Sequence, residues 1–161
     1  MRGLIRRKKA EDSFDISMEE AIFRLNTRRK LDLLAAMMRS LASENSKISF
    51  EGKLSHTELV HLPGACSAET ETLKRATLWP RLDFVVLTLV PQNPEVILDA
   101  VTSKIAIGER GIIHVQIEHN GKIAFAAYDG FQHAVAHSAF PPALMQELTD
   151  KGVLWGYQRE V

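Results

Sequence analysis

The dipeptide Asn120-Gly121 constrains the fold of this chain more than any other feature of the sequence. It separates two apolar runs within residues 111–129, and both residues favour the positive φ angles that a two-residue type I′ turn requires. We therefore predict a β-hairpin at this point. An uninterrupted register pairs His119 with Lys122, Glu118 with Ile123, Gln116 with Phe125, and His114 with Ala127.

This register gives the hairpin one apolar face and one half-polar face, because successive side chains of a strand point to opposite sides of the sheet. A hairpin of this kind is typical of a soluble α+β domain, and it identifies no reaction. The apolar face consists of Ile113, Val115, Ile117, Ala124, Ala126 and Tyr128. The half-polar face consists of His114, Gln116, Glu118, Phe125 and Asp129.

The length and the charge of the chain set broad limits on its class. The 161 residues are enough for one domain with a sizeable core. Lys plus Arg and Asp plus Glu both number 20, so the whole chain gives no electrostatic argument for nucleic acid, membranes or acidic substrates. Residues 1–40 nevertheless hold ten basic and six acidic residues, a net charge of +4, which leaves −4 on the remainder.

The single cysteine, Cys66, excludes an intrachain disulfide and is consistent with a reducing compartment. No apolar run approaches the roughly 18 residues that a membrane-spanning helix needs. Residues 1–15 are charged and lack the apolar core of a secretory signal. We therefore expect a cytoplasmic protein that does not bind a membrane.

The N-terminal part of the chain divides into two predicted segments. Residues 1–16 are polar and basic without a period, which predicts a flexible arm ahead of a single α+β domain over residues 17–161. Ser17-Met18-Glu19-Glu20 fits a capping box, and the pattern that follows predicts a long helix over residues 17–42. Its apolar arc is wider than one packing stripe, so the helix is expected to contact the sheet and a second surface.

The remaining pattern predicts alternating strands and helices. Strands are expected at residues 47–54, at the apolar run 83–90 and at the edge segment 153–157. Helices are expected after Ser67, after Asn93-Pro94 and after Pro141-Pro142. Since helices separate several strands, we predict a mixed four- to five-stranded sheet with helices packed on it, preceded by the long N-terminal helix.

The surplus apolar surface of the predicted helix suggests an interface with a protein partner or with a second copy of the chain. Nearby basic residues would steer an acidic partner towards it. The predicted apolar contacts are Leu31, Leu34, Met37, Met38 and Leu41. The predicted basic contacts are Arg24, Arg28, Arg29 and Lys30.

The alternative to an interaction module is a small hydrolase-like enzyme, for which three sets of residues are candidates. Cys66 at the start of a helix, with His56 or His61 as its base, is the minimum for a thiol nucleophile, although Thr72 stands where a C-x5-R phosphate loop needs arginine. His114, Glu118 and Asp129 would support acid–base chemistry if they line a pocket. The alternative is that the half-polar face of the hairpin is simply exposed to water, in which case its polar residues need no catalytic role.

His133 and His137 are the third set, because spacing i, i+4 on a helix brings two imidazoles together for a metal ion. On a strand the same spacing separates them by about 13 Å, too far for one ion. Polar and apolar residues in this segment fit the period of a strand as well as that of a helix. The sequence therefore does not decide whether the two histidines lie close together.

Nucleic-acid binding through the basic residues within 1–30 is a further alternative, although few aromatic residues accompany them. The chain contains no Walker A loop, G-x-G-x-x-G, nucleophile elbow or paired C-x-x-C, so we predict no cofactor. The sequence therefore favours a non-enzymatic protein-interaction or self-associating module that binds a macromolecular partner through helix 17–42, the hairpin face, or both.

Overall fold

A computed structural model of the chain describes residues 22–55, 57–104, 107–108, 111–137 and 142–160. These residues form one seven-stranded sheet, three α-helices and a short 3-10 helix at Glu58–His61. The strands are β1 (Ile22–Thr27), β2 (Ser46–Gly52), β3 (Asp83–Thr88), β4 (Ile112–His119), β5 (Lys122–Tyr128), β6 (His133–His137) and β7 (Leu154–Glu160). The helices are α1 (Lys30–Leu41), α2 (Pro94–Lys104) and α3 (Pro142–Asp150).

The sheet has the order β3-β2-β4-β5-β6-β1-β7, and every pair of neighbouring strands is antiparallel. The prediction of a mixed sheet with four or five strands is therefore wrong. The strand predicted at the apolar run 83–90 forms as β3, whose four central residues are all buried although it lies at an edge of the sheet. Its outer side is bridged by Cys66, which exchanges two main-chain hydrogen bonds with Val86.

The long helix predicted over residues 17–42 is also wrong, because Ile22–Thr27 form strand β1. Phe23 and Leu25 point into the core, and Arg24 alternates with them, which is the period of a strand. Strand β1 pairs with β6 and β7, more than 100 residues away in sequence. The arm predicted at residues 1–16 and the capping box at Ser17 lie outside the described residues.

The apolar residues of α1 belong to the core of the chain itself. Leu34, Met37 and Met38 have no exposed surface and Leu41 has little, because α1 packs on β4 and against α2. The predicted contacts with both the sheet and a second surface are thus satisfied within the chain. Of the five apolar residues assigned to an interface, Leu31 alone is exposed.

The hairpin turn forms as predicted, with φ of 53° at Asn120 and 80° at Gly121. His119 faces Lys122 and Glu118 faces Ile123, but the register then shifts by one residue at Ala124. Beyond this bulge the predicted pairs are wrong. The observed pairs are Ile117 with Phe125, Gln116 with Ala126, and Val115 with Ala127.

Because of the bulge, the residues of β5 that follow Ala124 lie on the opposite faces of the sheet from those predicted. Phe125 and Ala127 join Val115 and Ile117 on the main face, which forms the larger core with the helices. Ala126 and Tyr128 instead share the second face with polar residues of β2 and β4.

A segment without regular secondary structure, residues 69–77, covers part of this second face, and we call it the strap. Leu73 is fully buried at its centre, against Phe84, Ile123 and Tyr128 among others. The helix predicted after Ser67 is therefore wrong, and the 3-10 helix lies earlier in the chain.

Candidate functional site

The polar residues of the second face hold the strap in place. Glu51 of β2 is only 2% exposed, and its two carboxylate oxygens accept main-chain hydrogen bonds from Ala76 (2.8 Å) and Thr77 (3.3 Å). Burial raises the pKa of Glu51, and these two hydrogen bonds oppose the rise. The carboxylate thus replaces the hydrogen-bond partners that an irregular segment would otherwise lack.

His114 of β4 faces Glu51 across the strand pair and binds the same end of the strap. Its Nδ1 accepts a hydrogen bond from the main-chain N–H of Asp129 (3.2 Å), so a neutral ring carries its proton on Nε2. Nε2 lies 2.7 Å from the hydroxyl of Thr77 and donates to it. Burial lowers the pKa of His114, which agrees with a neutral ring.

Gln116 continues this row along β4. Its amide oxygen accepts from the main-chain N–H of Lys74 (3.3 Å), and its amide nitrogen donates to the hydroxyl of Tyr128 (2.7 Å). At the far end, the hydroxyl of Thr70 donates to Glu118 at 3.4 Å. The row from Glu51 to Glu118 therefore has a structural role along the whole strap.

The predicted acid–base set does not assemble into an open site. His114 is 6% exposed and its two ring nitrogens are both engaged, while Glu118 lies four residues further along β4 and binds Thr70. The carboxylate of Asp129 lies 3.8 Å from Nε2 of His133, on the surface. His114 and Asp129 are thus joined through the main-chain N–H of Asp129, whereas Glu118 binds the other end of the strap.

Cys66 is exposed, but it lies in an extended segment beside β3 rather than at the start of a helix. The premise for activating its thiol by a helix dipole is therefore wrong. His61 lies at the end of the 3-10 helix and is exposed, and the hydrogen bonds of Cys66 in the described part of the chain are with Val86 and Ala68 rather than with His61. His56 is outside the described residues.

His133 and His137 lie on strand β6, at its two ends. Four strand residues separate them by about 13 Å, so they cannot share one metal ion. Within the part of the chain that the structure describes, no group of three His, Cys, Asp or Glu residues could hold a metal ion.

The most exposed apolar side chains of the described residues lie directly after the strap, in the loop Leu78–Leu82. Leu78 is 92% exposed and Trp79 is 85% exposed. The loop is preceded by Thr77, which Glu51 and His114 bind. It is followed by Asp83, whose carboxylate accepts hydrogen bonds from the main-chain N–H groups of Leu54 and Ser55, each at 2.8 Å. Both ends of the loop are thus fixed while its apolar residues face water.

The sequence contains a signal for this loop, although it matches no known motif. Leu78 and Trp79 lie between Lys74-Arg75 and Arg81, in the stretch 72–82 that contains no acidic residue. Arg75 is directed inwards, with its guanidinium 5.0 Å above the ring of Phe84, whereas Lys74 and Arg81 are exposed. Pro80, which would end the helix predicted after Ser67, directly follows this apolar pair, but no helix forms there.

The four basic residues assigned to an interface have different surroundings in the structure. Arg24 lies on the second face of β1, where it is half-buried, and Lys30 begins α1. Arg29 binds Asp32 (2.7 Å) and the main-chain oxygen of Lys151 (3.0 Å). Arg28 stacks over the ring of Trp155 at 3.7 Å, an aromatic partner from the opposite end of the chain.

Comparison with protein-family models, with curated proteins and with solved structures finds no match to this chain. No helix among the described residues is long and apolar enough to cross a membrane.

Proposed function

We propose that this chain is a non-enzymatic protein-interaction module and that the Leu78–Leu82 loop is the anchor of its interface. The observation that carries the proposal is the exposure of Leu78 and Trp79 between two fixed ends. Trp is among the residues that contribute most to protein–protein binding, particularly where it fills a pocket on the partner.

The buried polar row supports this proposal because it restricts the anchor before binding. Glu51 and His114 hold the residue that precedes Leu78, so less conformational freedom is lost when a partner closes over the loop. The same residues are thereby occupied in positioning the strap, which leaves them no role in acid–base chemistry. The predicted interface on α1 is replaced by this loop.

The charge around the loop indicates the chemistry of the partner. Lys74 and Arg81 are exposed on either side of the apolar pair. A protein surface with an apolar pocket and an acidic rim complements this arrangement, and the charges would favour encounter more than they add affinity.

The test compares two variants in capture from the host lysate followed by measurement with the purified partner. Leu78→Ser/Trp79→Ser removes the anchor, and Val96→Ser is the matched control, because Val96 is an exposed apolar residue of α2. We expect one stoichiometric protein to bind the wild type and the control with equal affinity. The double variant should weaken binding by at least about 30-fold, as loss of one hot-spot residue does.

Three results would contradict the proposal. The first is equal affinity of the double variant, and the second is loss of binding in both variants. The third is binding of the wild type to phosphatidylcholine–phosphatidylserine vesicles through Trp79 without any protein partner, which would assign the loop to a lipid surface.

A further inference from the structure

At the end of the sheet formed by β1 and β7, the second face carries exposed polar side chains. Phe23 and Leu25 of β1 pack in the main core, so Arg24 and Asn26 alternate with them onto the second face. Arg24 is half-buried and faces Gln158 of β7, whereas Asn26 and Gln158 are exposed. The strap binds β2 and β4, near the opposite end of the sheet, so this surface is separate from the strap and from the loop that follows it.

A β-bulge in β7 places Trp155 and Gly156 together on this face. The register between β1 and β7 shifts at Trp155, which is the extra residue of β7. Leu154 and Tyr157 both pack on the main core, which leaves the two residues between them on the second face. Trp155 is 62% exposed, and a Cβ added at Gly156 would meet open space. The bulge therefore sets an exposed aromatic ring beside a gap in the layer of side chains.

Arg28 places a positive charge on this ring. Its guanidinium carbon lies 3.7 Å from the centre of the Trp155 ring. Within the described part of the chain, Arg28 forms no hydrogen bond or ion pair, whereas the neighbouring Arg29 is bound to Asp32. The five N–H donors of Arg28 are therefore available to a ligand with anionic oxygens. Residues 24–30 hold four basic side chains and no acidic one, so the segment attracts anions although the net charge of the whole chain is zero.

We propose that the β1–β7 surface, which we define as Asn26, Arg28, Trp155, Gly156 and Gln158, binds single-stranded nucleic acid. A base stacks on the side of the Trp155 ring that Arg28 leaves open, while Arg28 binds a neighbouring phosphate. The gap at Gly156 supplies room for the nucleotide, and the amide groups of Asn26 and Gln158 are able to bond the edge of the base.

Single-stranded nucleic acid complements this surface better than an acidic protein segment or a duplex does. Carboxylates would pair with Arg28 but would leave the ring of Trp155 exposed, whereas every nucleotide supplies both an anionic phosphate and a planar base. In a duplex the bases stack on one another, so their faces are not available to Trp155.

Fluorescence anisotropy with a labelled oligouridine of about 12 nucleotides tests the proposal, at about 50 mM salt where phosphate contacts are strong. Trp155→Leu should weaken binding by at least about fivefold, the effect of losing one stacked base. Trp155→Phe should restore most of the affinity, because it keeps an aromatic ring. Both variants should fold, since Trp155 is mostly exposed.

The charge is tested by a matched pair of variants on the two faces of the same strand pair. Arg28→Glu should weaken binding about tenfold and reduce the slope of log affinity against log salt by about 1. Arg159→Glu makes the same charge change, but Arg159 lies opposite Phe23 on the main face, so affinity should stay within about twofold.

A spectroscopic measurement tests whether the base contacts the ring. The chain has two tryptophans, so in Trp79→Phe the intrinsic tryptophan fluorescence comes from Trp155 alone. We expect saturating oligouridine to quench it. Absence of binding to the wild type, unchanged affinity in Trp155→Leu, or unchanged fluorescence would each overturn the proposal. Equal affinity for a duplex or for polyglutamate of the same charge would overturn it as well, because charge alone would then account for binding.

Discussion

Glu51 and His114 face each other on neighbouring strands, and both bind Thr77. The carboxylate accepts from its main-chain N–H, and the imidazole donates to its hydroxyl. The last residue of the strap is therefore fixed through both its main chain and its side chain, immediately before the most exposed apolar residue of the described chain. A buried polar pair that includes His114, one of the predicted acid–base residues, thus acts as the attachment point of a surface loop.

Glu51→Ala should destabilise the fold, because it leaves the main-chain N–H groups of Ala76 and Thr77 without an acceptor. Each unsatisfied group costs about 1–3 kcal/mol, and removal of a desolvated carboxylate offsets part of this, so we expect a net loss of about 1–3 kcal/mol. Urea unfolding measures the change. Glu71→Ala, an exposed acidic residue of the strap, should stay within about 0.5 kcal/mol. Equal losses in the two variants would contradict the role assigned to Glu51.

Stability should fall in mild acid because of His114. Burial lowers its pKa in the folded state, so the unfolded chain takes up the proton first as the pH decreases. The stabilisation is therefore complete above the unfolded pKa of about 6.5 and is lost as the pH falls below it, by at most about 1.4 kcal/mol per pH unit. Urea unfolding between pH 7.5 and 5.5 measures this slope.

His114→Gln isolates this contribution, since the other titrating groups are common to both proteins. Glu51 acts in the opposite sense: its raised pKa means that stability is lost as the pH rises through the folded value. The difference between wild type and variant is therefore the informative quantity. Parallel curves for the two proteins would show that His114 is not held neutral.

Leu73 of the strap and Trp79 of the loop that follows it should differ sharply in their contribution to stability. Leu73 is fully buried, so Leu73→Ala should cost about 2–5 kcal/mol through lost burial and the cavity that remains. Trp79→Ser should change the free energy of unfolding by no more than about 0.5 kcal/mol, because its ring faces water. A large loss in Trp79→Ser would mean that the tryptophan packs on the chain itself, and the proposed anchor would then fail.

Local chemistry was sufficient to predict the elements that depend on neighbouring residues. The Asn120-Gly121 turn and the helices predicted after Asn93-Pro94 and after Pro141-Pro142 follow from the backbone preferences of a few residues. The bulge at Ala124 does not, because both registers bury apolar side chains and only the strap and the helices distinguish them. Strand β1 shows the same limit, since its partners lie at the other end of the chain.

The candidate site shows a different limit. Sequence patterns located His114 and Glu118 on a polar strand face, but they could not indicate that an irregular segment covers that face. A strand residue that faces water and one that binds a buried main chain can be the same polar amino acid, so the sequence does not distinguish them. The exposed pair Leu78 and Trp79 lacked any period, so the patterns that identify helices and strands passed over it.

The helix residues assigned to an interface provide a test of the revised assignment. Leu34→Ala should lower stability by about 2–5 kcal/mol, because Leu34 is enclosed between α1 and the sheet. Leu31→Ala, on the exposed side of the same helix, should change it by less than about 1 kcal/mol. Thermal or urea unfolding distinguishes the two. Similarly small changes in the free energy of unfolding for both variants would show that Leu34 does not belong to the core.

Two glycines separate backbone strain from steric exclusion. Gly121 has φ of 80° with open space beside it, so Gly121→Ala should cost about 1–2 kcal/mol from the left-handed backbone alone. Gly52 has φ of 156°, and a Cβ there would lie 2.1 Å from the main-chain oxygen of Gly111. Since neither main chain can yield without disturbing the β2–β4 pairing, Gly52→Ala should cost clearly more than Gly121→Ala. Urea unfolding measures both, and equal costs would show that the end of β2 can move away from β4.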